Sequence, residues 1–471
     1  MSPDSSSPSG LLRRIVSLAL PVIGLNLLGV VTLLVDTLMV GRMREPGSAL
    51  AALGFATQVV FLLMVAMMGL TVGAAAVISR AHGAGQRGRV EHVLRQASLL
   101  TLLAAILVAG AGNLVARPVL ELLGARGAAL DLGLVYLRPI LSFTVFYYLN
   151  TLYAASLRSV GETRLPFLVA LISNALNVAL DYGFVLGRWG LPALGVAGAA
   201  WATVVSQALG TLLLVVLLSR GEVRAAWLRI RPTPAGRRGF FSLDLELAAE
   251  LFRVGAPAAL DMVVMNVAFM SIVGMLGRVS EAAVAAHGIG LRVQSLAFVP
   301  GLGISQVAGA LIGNALGSRD VAKAKRLTRI TVGLCTLVMG ALGLIFVAGA
   351  PELVRLFVHD PASQLARLTE TWIRLLGYGM PLVGVHIAFV GMLRGSGDTR
   401  QSLRINLIGT FLFQVPASWI LWRVLGWQAF GIWLAFPVSF GLKAALGWLA
   451  YLRGRWAVPG ARLEPTPEAE A

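Results

Sequence analysis

Three aspartates stand inside stretches that are otherwise almost wholly apolar: Asp36, Asp181 and Asp261. A carboxylate at membrane depth costs about 2.5–3.5 kcal/mol on insertion scales, so each is a candidate for function. Asp181 closes the run Ser173-Asn-Ala-Leu-Asn-Val-Ala-Leu-Asp181. Asn174, Asn177 and Asp181 are spaced three and four apart, which puts two amides and a carboxylate on one helix face. Facing an internal pocket, that set binds a proton or a small hard cation through oxygen ligands; otherwise it is polar glue between helices. Asp36 has Thr32 one turn earlier on its own face. Asn150 and Thr203 would supply further oxygens, although a lone Asn or Thr in a span serves packing as readily. Asp261 lies one turn after Pro257 with no second acid nearby in its half. It suits either contact with a cationic substrate or a structural pairing with amide and backbone groups.

Other chemistries find little support. No Walker motif occurs, so the chain has no nucleotide loop of its own to drive it. The lone Cys335 rules out a disulfide within the chain and argues against thiolate metal sites, and five scattered histidines make no ligand cluster. A membrane prenyltransferase would need two Asp-rich clusters to hold Mg²⁺ and pyrophosphate, and only one isolated acid follows Asn177. The net charge of +17 lies in loops with no aromatic interleaving, which argues for membrane topology and against nucleic acid. The reading is therefore of a non-enzyme with no cofactor beyond a coupling ion.

The elements that must position these residues are long apolar helices. The chain is 57% hydrophobic and 13% charged, about half the charge of a soluble domain. Its apolar blocks each reach the roughly 20 residues needed to cross a hydrocarbon core. Twelve spans are predicted near 13–41, 50–79, 93–116, 130–156, 165–186, 193–219, 250–277, 283–313, 327–349, 367–393, 402–422 and 429–452. Residues 1–10 and 456–471 read as disordered tails. Two six-span lobes, 11–219 and 250–455, flank a basic connector at 220–249. Alternate loops collect 26 basic residues on one side and 11 on the other, which predicts both termini in the cytoplasm. Prolines 21, 139, 257, 300, 381, 416 and 437 mark kinks within spans.

The halves repeat. Leu157-Arg-Ser-Val-Gly-Glu-Thr-Arg164 returns as Leu393-Arg-Gly-Ser-Gly-Asp-Thr-Arg400, an offset of 236 residues. An even number of spans per half predicts two lobes related by an axis along the membrane normal, with a cleft between them. At the same offset Asp36 meets Ile272, Asn174 meets Thr410, Asn177 meets Phe413 and Asp181 meets Ala417. The second half keeps the framework and loses the polar set, so a single ion site in the first half is expected.

These phrases together resemble the multidrug and toxic compound extrusion (MATE) family. The resemblance rests on Leu18-Ala-Leu-Pro21, Val35-Asp-Thr-Leu-Met-Val-Gly41, Ala49-Leu-Ala-Ala-Leu-Gly54, Asn177-Val-Ala-Leu-Asp181, Gly198-Ala-Ala-Trp-Ala-Thr203, Ala285-Ala-His-Gly-Ile289 and the two repeated loops. It covers about residues 11–452. It implies an all-α membrane protein of two six-helix lobes that exports organic cations against inward H⁺ or Na⁺. The match looks closest to the DNA-damage-inducible F-like branch, whose coupling site resembles Asp36, Asn177, Asp181 and Thr203, the set that would also hold Na⁺. The NorM-like branch places acids in spans 7 and 10; here the interior of span 10, beyond Glu370 in its first turn, carries Pro381 and His386 but no acid. The expected partners are amphipathic or cationic small molecules and membrane lipids, met by a monomer in the inner membrane. Thr32, Asp261 and Met265 are the substrate-contact candidates, and the methionines at 64, 67, 68, 262 and 270 would add an adaptable lining. A lipid-linked precursor flippase of the same superfamily is the alternative; it would favour cationic side chains in the cleft, for which Arg292 is the main candidate.

Overall fold

The computed structural model describes residues 7–42, 46–220, 242–358 and 360–458. The described chain is a succession of long helices: α1 (Pro8–Gly41), α2 (Pro46–Gly83) and α3 (Arg87–Leu122). Next comes α4, in two segments Gly127–Ser142 and Thr144–Ser159, followed by α5 (Arg164–Phe184) and α6 (Val196–Arg220). The second half comprises α7 (Leu245–Gly277), α8 (Glu281–Gly317), α9 (Val321–Arg355), α10 (Gln364–Gly395), α11 (Thr399–Val424) and α12 (Gln428–Arg453). Among the described residues eleven helices are long and apolar enough to cross a membrane, and the two segments of α4, bent by 54°, form a twelfth candidate. Apolar side chains such as Leu114, Leu122, Leu356 and Leu412 lie exposed, an arrangement suited to lipid and not to water.

The helices outrun the predicted spans because polar residues cap them. Ser280, Asp320, Ser363 and Asp398 each accept from a backbone N–H in the first turn of α8, α9, α10 and α11. Ser7 does the same for Gly10 at 3.1 Å, so α1 begins at Pro8, within the segment expected to be a tail; residues 1–6 lie outside the described residues. At the other end Trp456 is buried and donates to the Tyr451 carbonyl at 3.1 Å, which corrects the tail expected from residue 456; residues 459–471 are outside the described residues. Most of the expected connector, 221–241, is likewise outside them. Its described end, Ser242–Asp244, is fixed to α3. Gln96 donates to the Ser242 carbonyl at 2.8 Å and accepts from the Asp244 N–H at 3.1 Å.

Both copies of the repeated loop make the same turn. Gly161 and Gly397 adopt φ of +86° and +75°, where a Cβ is unfavourable. The acid that follows then caps the next helix: Glu162 accepts from the Arg164 N–H at 3.0 Å, and Asp398 from the Gln401 N–H at 3.3 Å. The motif is thus a helix-to-helix corner.

The chain divides into two compact units. One holds residues 18–78 and 87–259; the other holds 1–17, 79–86 and 260–471. In the second, α8, α9 and α10 meet through glycines. A Cβ on Gly395 would stand 2.0 Å from the Gly309 carbonyl oxygen, and one on Gly343 would stand 2.4 Å from that of Gly377. Small residues let backbones close in where no hydrophobic drive separates helix from lipid. An aromatic core of Trp372, Trp433, Phe436 and His287 fills the space between α8, α10 and α12, with Trp372 and Trp433 stacked at 5.5 Å.

Candidate functional site

In the first unit, α1 and α5 bring Asp36 and Asp181 together. Asp36 is 7% exposed and Asp181 fully buried. Each carboxyl lies within hydrogen-bonding reach of the other. Two ionised carboxylates only accept, so a bond between them requires a proton on one. Among the described residues, neither oxygen of Asp181 nor Oδ1 of Asp36 has a donor, and the Asn177 amide is also unpartnered. Asn177 precedes Asp181 by one turn and is equally buried, so α5 presents an amide and a carboxyl from the same face.

The remaining predicted oxygens have the following partners in the structure. Thr32 on α1 donates to the Asn174 side-chain oxygen on α5, tying the two helices one turn from Asp36 and two turns from Asp181. Asn174 itself donates to the Ala170 carbonyl at 2.7 Å. Thr203 donates to the Ala199 carbonyl of its own helix at 3.0 Å, leaving its lone pairs as its contribution. Asn150 and Ser173 crowd Gly210 of α6: a Cβ there would stand 2.5 Å from Asn150 Nδ2 and 2.7 Å from Ser173 Oγ. Glycine at 210 lets α4, α5 and α6 pack with those polar atoms inside. Among the described residues no three His, Cys, Asp or Glu side chains gather as metal ligands. A Na⁺ ion here would therefore depend on two carboxylates with amide and hydroxyl oxygens.

Tyr136 on α4 was not anticipated. It is buried and within electrostatic reach of both Asp36 and Asp181. Only its phenol, isolated in an apolar span, could have signalled it.

The second unit is built differently. Asp261, 2% exposed, accepts from Arg394 at 3.1 Å, from Asn406 Nδ2 at 2.7 Å and from Ser402 at 3.4 Å. Lys443 on α12 is fully buried; its stem lies against Gly409 and its ammonium sits 4.5 Å from the Phe440 ring centroid, within electrostatic reach of Asp261. His386 is buried beside Phe440, with Lys443 and Arg394 nearby. Protein cations thus already surround the one acid of this cluster. Met265 is 39% exposed, and its sulfur accepts from Thr410, the second-half counterpart of Asn174, at 3.4 Å.

Comparison with known proteins agrees with this architecture. The MatE family model matches residues 21–183 and again 257–420, one match for each half of the repeat. The probable multidrug resistance protein NorM of Thermotoga maritima is 26% identical, over 94% of this chain and 93% of the relative. The probable multidrug resistance protein YoeA of Bacillus subtilis is 25% identical over 90% of each. Among solved structures, a crystal structure of MATE in the bent conformation superposes with a TM-score of 0.86 at 23% identity, covering 96% of this chain and 98% of that one. An outward-facing multidrug resistance MATE family transporter of the MOP superfamily also gives 0.86, over 95% and 96%. With a family match across both repeats and a fold shared end to end, this chain belongs to the MatE family, the multidrug and toxic compound extrusion transporters, and is a multi-pass membrane transporter and not an enzyme.

Proposed function

We propose that this protein is a secondary active exporter that moves amphipathic, often cationic, compounds out of the cell by alternating access, driven by inward H⁺ or Na⁺. The observation that carries the reading is the Asp36–Asp181 pair: two buried acids, one on α1 and one on α5, in which both Asp181 oxygens and Asp36 Oδ1 lack a donor among the described residues. Leaving both ionised is costly in a membrane interior, so the pair takes up a proton or a monovalent cation. Asn177 and Thr203 supply the neutral oxygens, with Asn174, Asn150 and Thr32 holding the helices around them. This assignment follows the DNA-damage-inducible F-like arrangement. The second unit plays no part in ion coupling, because Arg394 and Lys443 occupy the surroundings of Asp261 as tethered cations. The Asp261 carboxylate answers one of these two charges, that of Arg394. This pairing makes Asp261 a counter-ion and leaves Thr32 and Met265 as the substrate contacts of the original three. The excess of basic loops supports a reading with both termini in the cytoplasm of an inner-membrane protein, which we take to act as a monomer.

The relatives named as multidrug resistance proteins support the choice of substrate class. The test is expression in a drug-sensitive host. Tolerance to several unrelated cationic dyes should rise. No gain, with the protein well expressed in the membrane, would contradict the reading.

A further inference from the structure

A polar cavity of about 200 Å³ opens in the second unit, lined by none of the residues that surround Asp261. Its walls come from four helices: Arg14 near the start of α1, His82 in the last turn of α2, Asn314 and Ser318 at the end of α8, and Lys323 in the first turn of α9. Leucines 11, 311 and 327 line one part of it. No lining residue is acidic. The nearest acid in sequence, Asp320, is exposed and uses Oδ1 to cap Lys323 N–H at 2.8 Å.

The floor is rigid. A Cβ on Gly83 would stand 1.9 Å from the Asn314 carbonyl oxygen, and one on Gly317 would stand 2.0 Å from that of Arg80, so α2 and α8 touch backbone to backbone. The carbonyls that end these helices are already bonded in turns, Ala81 O to Gln86 N and Ala315 O to Asp320 N, each at 2.9 Å. Two basic side chains, an imidazole, a hydroxyl and an amide converge on this space. Buried Asn314 Oδ1 has no hydrogen-bond partner among the described residues. Rotating that amide turns the same position into a donor.

We propose that this cavity binds a phosphate group, with Arg14 and Lys323 as its charged ligands and His82, Ser318 and Asn314 as hydrogen-bonding ones. The basic-loop asymmetry puts it at the cytoplasmic surface, where two sources of phosphate meet the protein: anionic phospholipid headgroups, whose chains would run onto the leucine-lined part, and soluble phosphate esters. The site is independent of the ion-coupling pair.

The experiment uses the full-length protein purified in detergent and native mass spectrometry. Phosphatidylglycerol and phosphatidylcholine are added in one arm, and glycerol phosphate in the other. The variants are Arg14→Gln/Lys323→Gln and, as a charge-matched control off the cavity, Lys325→Gln/Arg326→Gln. Preferential retention of phosphatidylglycerol that weakens about thirtyfold in the cavity variant, and little in the control, identifies a headgroup site. Glycerol phosphate adducts lost in the same variant, without a lipid preference, identify a soluble ester. Equal loss in both variants, or no phosphate ligand in either arm, overturns the proposal. Should Arg14→Gln/Lys323→Gln fold poorly, Ser318→Leu, which fills the cavity while keeping every charge, must reduce binding as well.

Discussion

Replacing Asp181 by asparagine removes one charge from the Asp36–Asp181 pair while keeping its shape. Two unit charges about 4 Å apart repel by about 4 kcal/mol at an effective dielectric of 20. That repulsion is what a proton or cation relieves on binding, and it is worth about a thousandfold in the pair's affinity for it. Asparagine offers an N–H to Asp36 in place of the shared proton, so the fold should survive and the ion dependence should not. The assay is release of a bound fluorescent cation from purified protein in liposomes, triggered by a pH step or by Na⁺. The wild type should release on the trigger. Asp181→Asn should need about a thousandfold more ion, in practice showing no release, while its thermal unfolding stays within a few degrees of wild type. Triggered release within tenfold of wild type would refute the reasoning, because it would mean that Asp36 alone carries the ion.

Three further outcomes follow from the geometry. Asp261→Asn should leave ion-triggered release intact but lower stability by about 3–5 kcal/mol, since Arg394 and Lys443 lose their counter-charge; thermal unfolding reads it, and adding Lys443→Met should recover part of the loss. Gly395→Ala forces a methyl group to within 2.0 Å of the Gly309 carbonyl oxygen and should cost about 1–3 kcal/mol in the same assay, without changing which compounds are exported. Burial works to raise the pKa of Asp244, the residue before α7, but bonds from the Leu247 N–H and His92 outweigh it and hold the carboxyl below its usual range. Its stabilising effect, about 1 kcal/mol as a cap, is therefore complete above the unfolded value near 3.9 and fades as pH falls through the lower folded value. Asp244→Ala should accordingly destabilise at pH 7 and converge on wild type in acid.

Much of the architecture was legible because lipid imposes a length and a polarity on every span. The span centres needed only a count of apolar residues, and the repeated Leu-Arg-x-x-Gly-acid-Thr-Arg phrase located equivalent corners in both halves. The ends were less legible: Ser7 and Asp320 extend α1 and α9 through side-chain caps that a hydropathy window averages away. Pro139 marked a kink, yet the break in α4 falls at Phe143, whose backbone leaves the helical region. At the site, helical spacing grouped Asn174, Asn177 and Asp181, and the cost of a buried charge singled out Asp36. What spacing could not give was the partner of each. Arg394 read as a loop residue within the repeated phrase, and nothing local tied it to Asp261, 133 positions earlier. Tyr136 was hidden for the same reason: its neighbours lie on helices far away in the sequence.

The central claim is that drug leaves in exchange for an ion held at Asp36 and Asp181. Substrate-stimulated ion flux in proteoliposomes, with Na⁺ and pH gradients imposed separately, tests it most directly. One of the two gradients should drive uptake of a cationic dye, with matching ion movement in the opposite direction, and Asp36→Asn and Asp181→Asn should each abolish both. Dye transport that proceeds with neither gradient, or ion flux undiminished in the two variants, would contradict it.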